Sequence, residues 1–158
     1  MSAKVAPYPH SRTFTRELFN RHDTPAKEVV KSLLLQQGYA VVNEDEAYGS
    51  HDFIVSKDGV ELKVEVEQKM AWKYARFPFA THNVSHRKAT SNADLFFQIS
   101  ANEKYVAMCP MSVVKSSPVK RINTCLGTTN EPFFDVSCSA MRYFRSENGI
   151  WEETTEVV

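Results

Sequence analysis

The chain has 158 residues, enough for one domain with a substantial core and short for two. Apolar types make up 42% and aromatics 11%, which excludes broad disorder, while 19 basic against 19 acidic residues exclude a histone-like polycation. Local phosphate contact stays open, because a basic patch is enough for it.

The first 22 residues carry two prolines and no clean period, and are expected to be an N-terminal extension. Thr24-Pro25 reads as a helix start, with threonine as cap and proline in the first turn, where its missing N–H loses nothing. Ala26, Val29, Val30, Leu33 and Leu34 follow at helical spacing, and Gly38 is a natural stop. A short strand is expected over 39–42, then an acidic loop over 43–50. Residues 52–56 and 60–69 read as two strands of a hairpin turned by Lys57-Asp58-Gly59.

The second of these strands is the most informative segment. Leu62, Val64 and Val66 fall on one face at period two, with Glu61, Lys63, Glu65, Glu67 and Lys69 on the other. Beyond it, residues 70–74 suit a turn of helix, and residues 76–88 read as an irregular connection because Pro78, Asn83 and Ser85 punctuate it. The nearly all-apolar residues 94–99 suit an interior strand. Further strands are expected over 104–109, 133–136 and 141–144, with a short helix over 111–115. The expected fold is a single-domain α/β architecture over residues 23–145, a central mixed β-sheet flanked by helices, with an acidic tail over 146–158.

Charge is unevenly laid out along this frame. Acids crowd residues 43–67, whereas none occurs from Gln68 to Ala93, where Lys69, Lys73, Arg76, Arg87 and Lys88 interleave with Trp72, Tyr74, Phe77 and Phe79. Bases hold phosphates and aromatic faces stack on unpaired bases, so Trp72, Lys73, Arg76, Arg87 and Lys88 are candidate nucleic-acid contacts. The plainer alternative makes the aromatics core anchors and the bases solvated. His82 and His86 have no cysteine near them to complete a zinc site.

The hairpin brings Asp52 opposite Glu65 and Glu67. Three converging carboxylates repel one another unless a cation lies between them, and hard oxygen donors suit Mg²⁺ or Mn²⁺. Lys69, on the same face, is placed to orient water or to stabilise charge on a phosphate. A solvated hairpin face, satisfied by Glu–Lys pairs, is the competing structural account. Ser50-His51-Asp52 is no hydrolase triad, since consecutive strand residues point oppositely and there is no nucleophile elbow.

A capped helix carrying Glu28, His51-Asp52 at a strand start, a hairpin and Glu65-Val66-Glu67-Gln68-Lys69 together resemble the PD-(D/E)xK nuclease superfamily. The thirteen-residue separation of Asp52 from Glu65 is similar to that in archaeal Holliday junction resolvases. The resemblance spans about residues 24–110 and implies a restriction endonuclease-like fold, with Mg²⁺-dependent hydrolysis of DNA phosphodiesters. It implies Asp52 and Glu65 as metal ligands, with Glu28 a further acid from the first helix; the favoured assignment adds Glu67 at the metal and Lys69 as the amine, and His51, which abuts Asp52, is an accessory candidate. His51 stands where the name-giving proline would be. Two registers fit: Glu65 as the motif acid with Glu67 at the lysine position, or Glu67-Gln68-Lys69 as the complete motif. The resemblance alone implies a homodimer. The alternative is a catalytically silent module that binds nucleic acid or protein on the same fold, or a structural protein with a charged hairpin.

No run approaches the ~18 apolar residues of a membrane helix, and the first residues lack the apolar core of a secretory signal. Cys109, Cys125 and Cys138 are too widely spaced for a disulfide framework, which suits free thiols in an intracellular, reducing compartment.

Overall fold

The apolar stripe that begins at Ala26 forms the buried face of helix α1 (Arg16–Gln36), with Ala26, Val30, Leu33 and Leu34 inside and Val29 partly so. The computed structural model describes residues 16–43, 52–123 and 130–158. Glu44, Asp45, Glu46, His51 and Cys125 lie outside the described residues. The helix extends upstream of the expected start, so Pro25 falls inside it and not at its first turn. Arg16, Glu17 and Leu18 are good helix formers, and the missing proline N–H deprives only the Arg21 carbonyl of its donor. At the other end Gly38 adopts a left-handed φ of 95°, and Tyr39 N–H closes back on the Leu34 carbonyl at 3.0 Å. Lys57 Nζ then caps the Gln37 carbonyl at 2.8 Å, where a cation also suits the negative end of the helix.

Strands β1 (Ala40–Asn43), β2 (Phe53–Lys57) and β3 (Val60–Lys69) form an antiparallel meander. Asp58 and Gly59 both take positive φ, 53° and 80°, the tight turn whose twist matches the flanking strands. The chain continues through β4 (Thr81–Ser85) and a 3₁₀ turn at His86–Thr90 to β5 (Leu95–Ser100), which pairs parallel with β3. Then come β6 (Tyr105–Pro110), α2 (Met111–Lys115), β7 (Val119–Ile122), β8 (Glu131–Ser137), β9 (Arg142–Glu147) and β10 (Ile150–Glu153). The larger sheet runs in the order β1-β2-β3-β5-β6-β9-β10, and a smaller one in the order β4-β8-β7.

Both faces of the larger sheet are covered, by different layers. On one side α1 packs against Phe53, Val55, Val64, Val66, Phe97, Ile99, Val106 and Phe144. On the other, Phe96, Ala107, Cys109 and Tyr143 meet Val84, Phe134 and Val136 of the smaller sheet, Met111 and Val114 of α2, and Trp72 and Phe77. Phe96 and Phe97 thus serve opposite cores, as period two demands of an interior strand. The molecule is one α/β domain on a mixed sheet with few helices.

Other features depart from expectation. A long helix flanks one face only, because residues 81–85 of the supposed irregular connection form β4, with His82 and Val84 turned inward. β8 supplies the pairing that this short segment's own pattern does not announce. Residues 70–74 make a turn and no helix. Residues 146–158 join the domain: β10 pairs with β9, and Val157 is fully buried. Gln36 of α1 clamps this hairpin, donating to the Gly149 carbonyl at 2.7 Å and accepting from Trp151 N–H at 2.9 Å. Among the described residues no helix is long and apolar enough to cross a membrane.

Candidate functional site

β3 is ten residues long and β2 only five, so the far half of β3 outlasts its partner. Asp52 bridges the gap. Its N–H donates to the Val64 carbonyl at 2.8 Å, and its Oδ2 accepts from Val66 N–H at 2.7 Å. Lys27 Nζ, from α1, lies 3.7 Å from Oδ1. On the opposite edge of β3 Asp94 does the same work, accepting from Lys63 N–H at 2.8 Å. The hairpin therefore sets Asp52 against β3 at Val64 and Val66, and its carboxylate satisfies a backbone amide that water or strand would otherwise take.

Glu65 and Glu67 point away from α1, toward the side of the smaller sheet, next to Phe96 and Gln98 of β5. Glu65 is buried; Ser91 Oγ donates to its Oε1 at 3.1 Å, and Lys88 Nζ is paired with its Oε2. Burial works against the charged Lys88 ammonium. The charge and hydrogen bond of the adjacent Glu65, together with the charges of Glu67 and Asp52, outweigh it, and the lysine is held above its ordinary value. Of the three acids only Glu65 touches the ammonium; Glu67 and Asp52 act on it from farther away.

Glu67 Oε1 accepts from Gln98 Nε2 at 2.9 Å. Gln98 and His82 are both fully buried, with Gln98 Oε1 2.7 Å from His82 Nδ1 and His82 Nε2 2.9 Å from the Tyr143 hydroxyl. Burial pushes His82 down to about 4; the Gln98 hydrogen bond opposes the shift, and the Lys69 charge adds to it. A neutral ring whose Nδ1 faces an acceptor must carry its proton on Nδ1. Nε2 is then the acceptor and takes the Tyr143 proton, for which the Cys138 carbonyl at 3.2 Å is the alternative. A continuous polar chain runs from Glu67 through the core to β9.

The remaining candidates divide. Glu28 is exposed and pairs with Lys31 at 3.0 Å; its neighbour Lys27 is the α1 side chain that meets Asp52. Lys69 does not approach the acids: its Nζ lies 5.3 Å from the centroid of the Phe79 ring. Trp72 is fully buried, edge-on to Phe77 at 5.3 Å, so it has no face to offer a base. Its indole anchors the connection. Lys73, Arg76 and Arg87 are not buried and make no ion pair among the described residues, as phosphate contacts require. Lys88 is turned inward to Glu65. Lys27, Ser91, Gln98, His82 and Tyr143 were not legible as site residues, since each comes from an element that no local spacing ties to the hairpin.

Among the described residues no three Asp, Glu, His or Cys side chains converge tightly enough to form a metal-ligand group. The acids instead gather around amines and amides of the chain itself. Comparison with protein-family models, with curated proteins and with solved structures finds no match.

Proposed function

We propose that the protein is a small restriction endonuclease-like enzyme that hydrolyses DNA phosphodiesters with a divalent ion. The observation that carries this is the buried Glu65 paired with the Lys88 ammonium on β3, with Glu67 two residues along the same strand face and Asp52 at the mouth of the β2–β3 hairpin. Their oxygen donors are of the kind that Mg²⁺ or Mn²⁺ takes. Glu65 would hold such an ion in place of Lys88, with Glu67 and Asp52 drawn in around it from their present partners Gln98 and Lys27. When bound, it supplies a water of lowered pKa and polarises a phosphodiester. Gln98 orients Glu67, Ser91 orients Glu65 and the Val66 amide orients Asp52, so each acid is held by a neutral donor. Arg87, Lys73 and Arg76 hold the substrate backbone. The helix, hairpin and acid layout on which the PD-(D/E)xK resemblance rests is consistent with this assignment.

A second reading has its own support. Lys27, Lys88, Ser91 and Gln98 already satisfy the carboxylates, as in a catalytically silent module that binds nucleic acid through its bases alone. Ion calorimetry combined with cleavage of duplex, branched and single-stranded DNA separates the two. For the enzyme, Mg²⁺ or Mn²⁺ binds and is needed for cleavage, and Asp52→Asn lowers activity by orders of magnitude while the fold survives. Absence of ion binding at millimolar concentration, or undiminished cleavage by the variant, selects the binding module.

A further inference from the structure

The connection between β3 and β4 holds its aromatic rings in two opposite states. Trp72 and Phe77 are 0% and 5% exposed, whereas Tyr74 is 76% and Phe79 46% exposed. Among the Phe, Tyr and Trp side chains described from residue 25 onward, Tyr74 and Phe79 are the two exposed rings. The backbone around them is pinned. Trp72 N–H donates to the Lys69 carbonyl at 3.0 Å, Ala101 N–H to the Trp72 carbonyl at 2.6 Å, and Phe77 N–H to the Val157 carbonyl at 2.9 Å. Phe77 is also stacked on His82, with centroids 3.8 Å apart and planes at 14°. Trp72 and Phe77 thus anchor the connection, Phe79 packs edge-on against Phe77 at 5.7 Å, and Tyr74 stands out at the surface.

Single exposed rings are ordinary, but these two share a stretch with Lys69, Lys73 and Arg76 in which no acid occurs from Gln68 to Ala93. The charge complement of such a surface is a polyanion. We infer that Tyr74 and Phe79 form a stacking site for the bases of a single DNA strand, with Lys73 and Arg76 on its phosphates. A duplex would use the cations equally well and leave the rings idle, since its base faces are covered by their neighbours; an unpaired base has a free face. Phe79 lies under Lys69, whose Nζ is 5.3 Å from the ring centroid, at the end of the strand that carries Glu65 and Glu67. The inference rests on the reading of the acid cluster as a DNA site, and it narrows the substrate to DNA with an unpaired segment.

The test is binding without divalent ions, so that it does not depend on cleavage. Labelled oligothymidylate and a blunt-ended duplex are titrated by fluorescence anisotropy at several salt concentrations. Tyr74→Ala and Phe79→Ala should each weaken oligothymidylate binding roughly five- to a hundredfold, the range set by base–aromatic stacking. Duplex affinity and the salt slope should not change, since no counter-ion is involved. Tyr74→Trp should retain binding. Lys73→Ala should instead flatten the slope for the single strand by about 0.7. Both rings are exposed, so unchanged thermal melting checks the fold. Oligothymidylate affinity unaffected by both alanine variants overturns the inference, as does an equal loss toward duplex. Failure of the wild type to bind any oligonucleotide also overturns it, above all if Tyr74→Ala abolishes self-association or binding to anionic vesicles. Oligothymidylate binding without any cleavage would preserve the stacking site and remove the nuclease; cleavage indifferent to Tyr74 and Phe79 would do the reverse.

Discussion

Replacing Lys88 with Met tests whether the three acids share one cation position. The Lys88 and Glu65 side chains are 26% and 12% exposed. Their pair therefore lies between surface pairs, worth ~0.2–1 kcal/mol, and buried pairs whose rupture costs ~3–5 kcal/mol. A loss of about 2 kcal/mol follows, which for a domain of this size lowers Tm by about 4–8 °C. Because Lys88 is held above its ordinary value of 10.5, its contribution is complete below that value and disappears only as pH rises through the raised one. The deficit of Lys88→Met should accordingly be constant around neutrality and close only in strong alkali. Mg²⁺ or Mn²⁺ should then stabilise the variant more than the wild type, since the ion enters where the ammonium left; at about a hundredfold over Kd it adds about 2.7 kcal/mol. Adding Glu65→Gln should abolish that rescue. Thermal and urea unfolding with and without each ion measure all three quantities. Equal ion increments in wild type and Lys88→Met, or no loss of stability on removing Lys88, would refute the shared position.

Other substitutions separate structural from binding roles. Trp72→Ala should cost ~3–5 kcal/mol of unfolding free energy, as for a fully buried ring; a loss below about 1 kcal/mol by urea denaturation would return Trp72 to the surface. Arg87→Ala should lower the salt slope of duplex binding by about 0.9 for each phosphate that the guanidinium neutralises, whereas Lys88→Ala should leave it unaltered, and equal slopes for both would contradict the inward orientation of Lys88. His82 falls from an ordinary 6.5 to about 4 on folding. Its depressed value means the stability is present above 6.5 and is lost as pH falls toward 4, by about 3 kcal/mol in all. His82→Gln should flatten that part of the acid limb in pH-dependent unfolding, and an unchanged limb would place the titration elsewhere.

Where the pattern was local, the fold was legible. Alternation along β3, the Asp58-Gly59 turn and the stripe on α1 each rest on neighbours within a few residues, and each is found at the expected place. β4 was not legible, because His82 and Val84 make too short an alternation without β8 to pair it. β10 does carry a local signal: Asn148-Gly149, with φ of 53° and 79°, is a strong hairpin dipeptide. The acids from Glu147 onward have the composition of a tail, yet Arg145 pairs with Glu147, Glu152 and Glu156, and Arg142 with Glu153. Within the candidate site the placement of Asp52 against β3, at Val64 and Val66, followed from the hairpin. The partner of Glu65 comes from 23 residues away, and the His82–Tyr143 contact spans 61, separations that no motif encodes.

These distant partners decide what the hairpin acids can do. Gln98 donates to Glu67 only while its oxygen accepts from His82, and a His82 proton on Nδ1 fixes that orientation. His82 in turn is kept neutral by its burial, among Trp72, Phe77 and Tyr143. The core aromatics thus set the direction of a donor at the surface acid cluster, without any of them reaching it. Glu67 is presented as a fixed acceptor across the pH range in which His82 stays neutral. Lys88 is of another kind: it sits on a short 3₁₀ turn, on a long side chain, and can leave the cluster without breaking a strand. A fixed set of acids with a removable ammonium is an arrangement in which an external cation competes with an internal one. That competition, which Lys88→Met biases and Glu65→Gln removes, separates the proposed hydrolytic protein from the binding one.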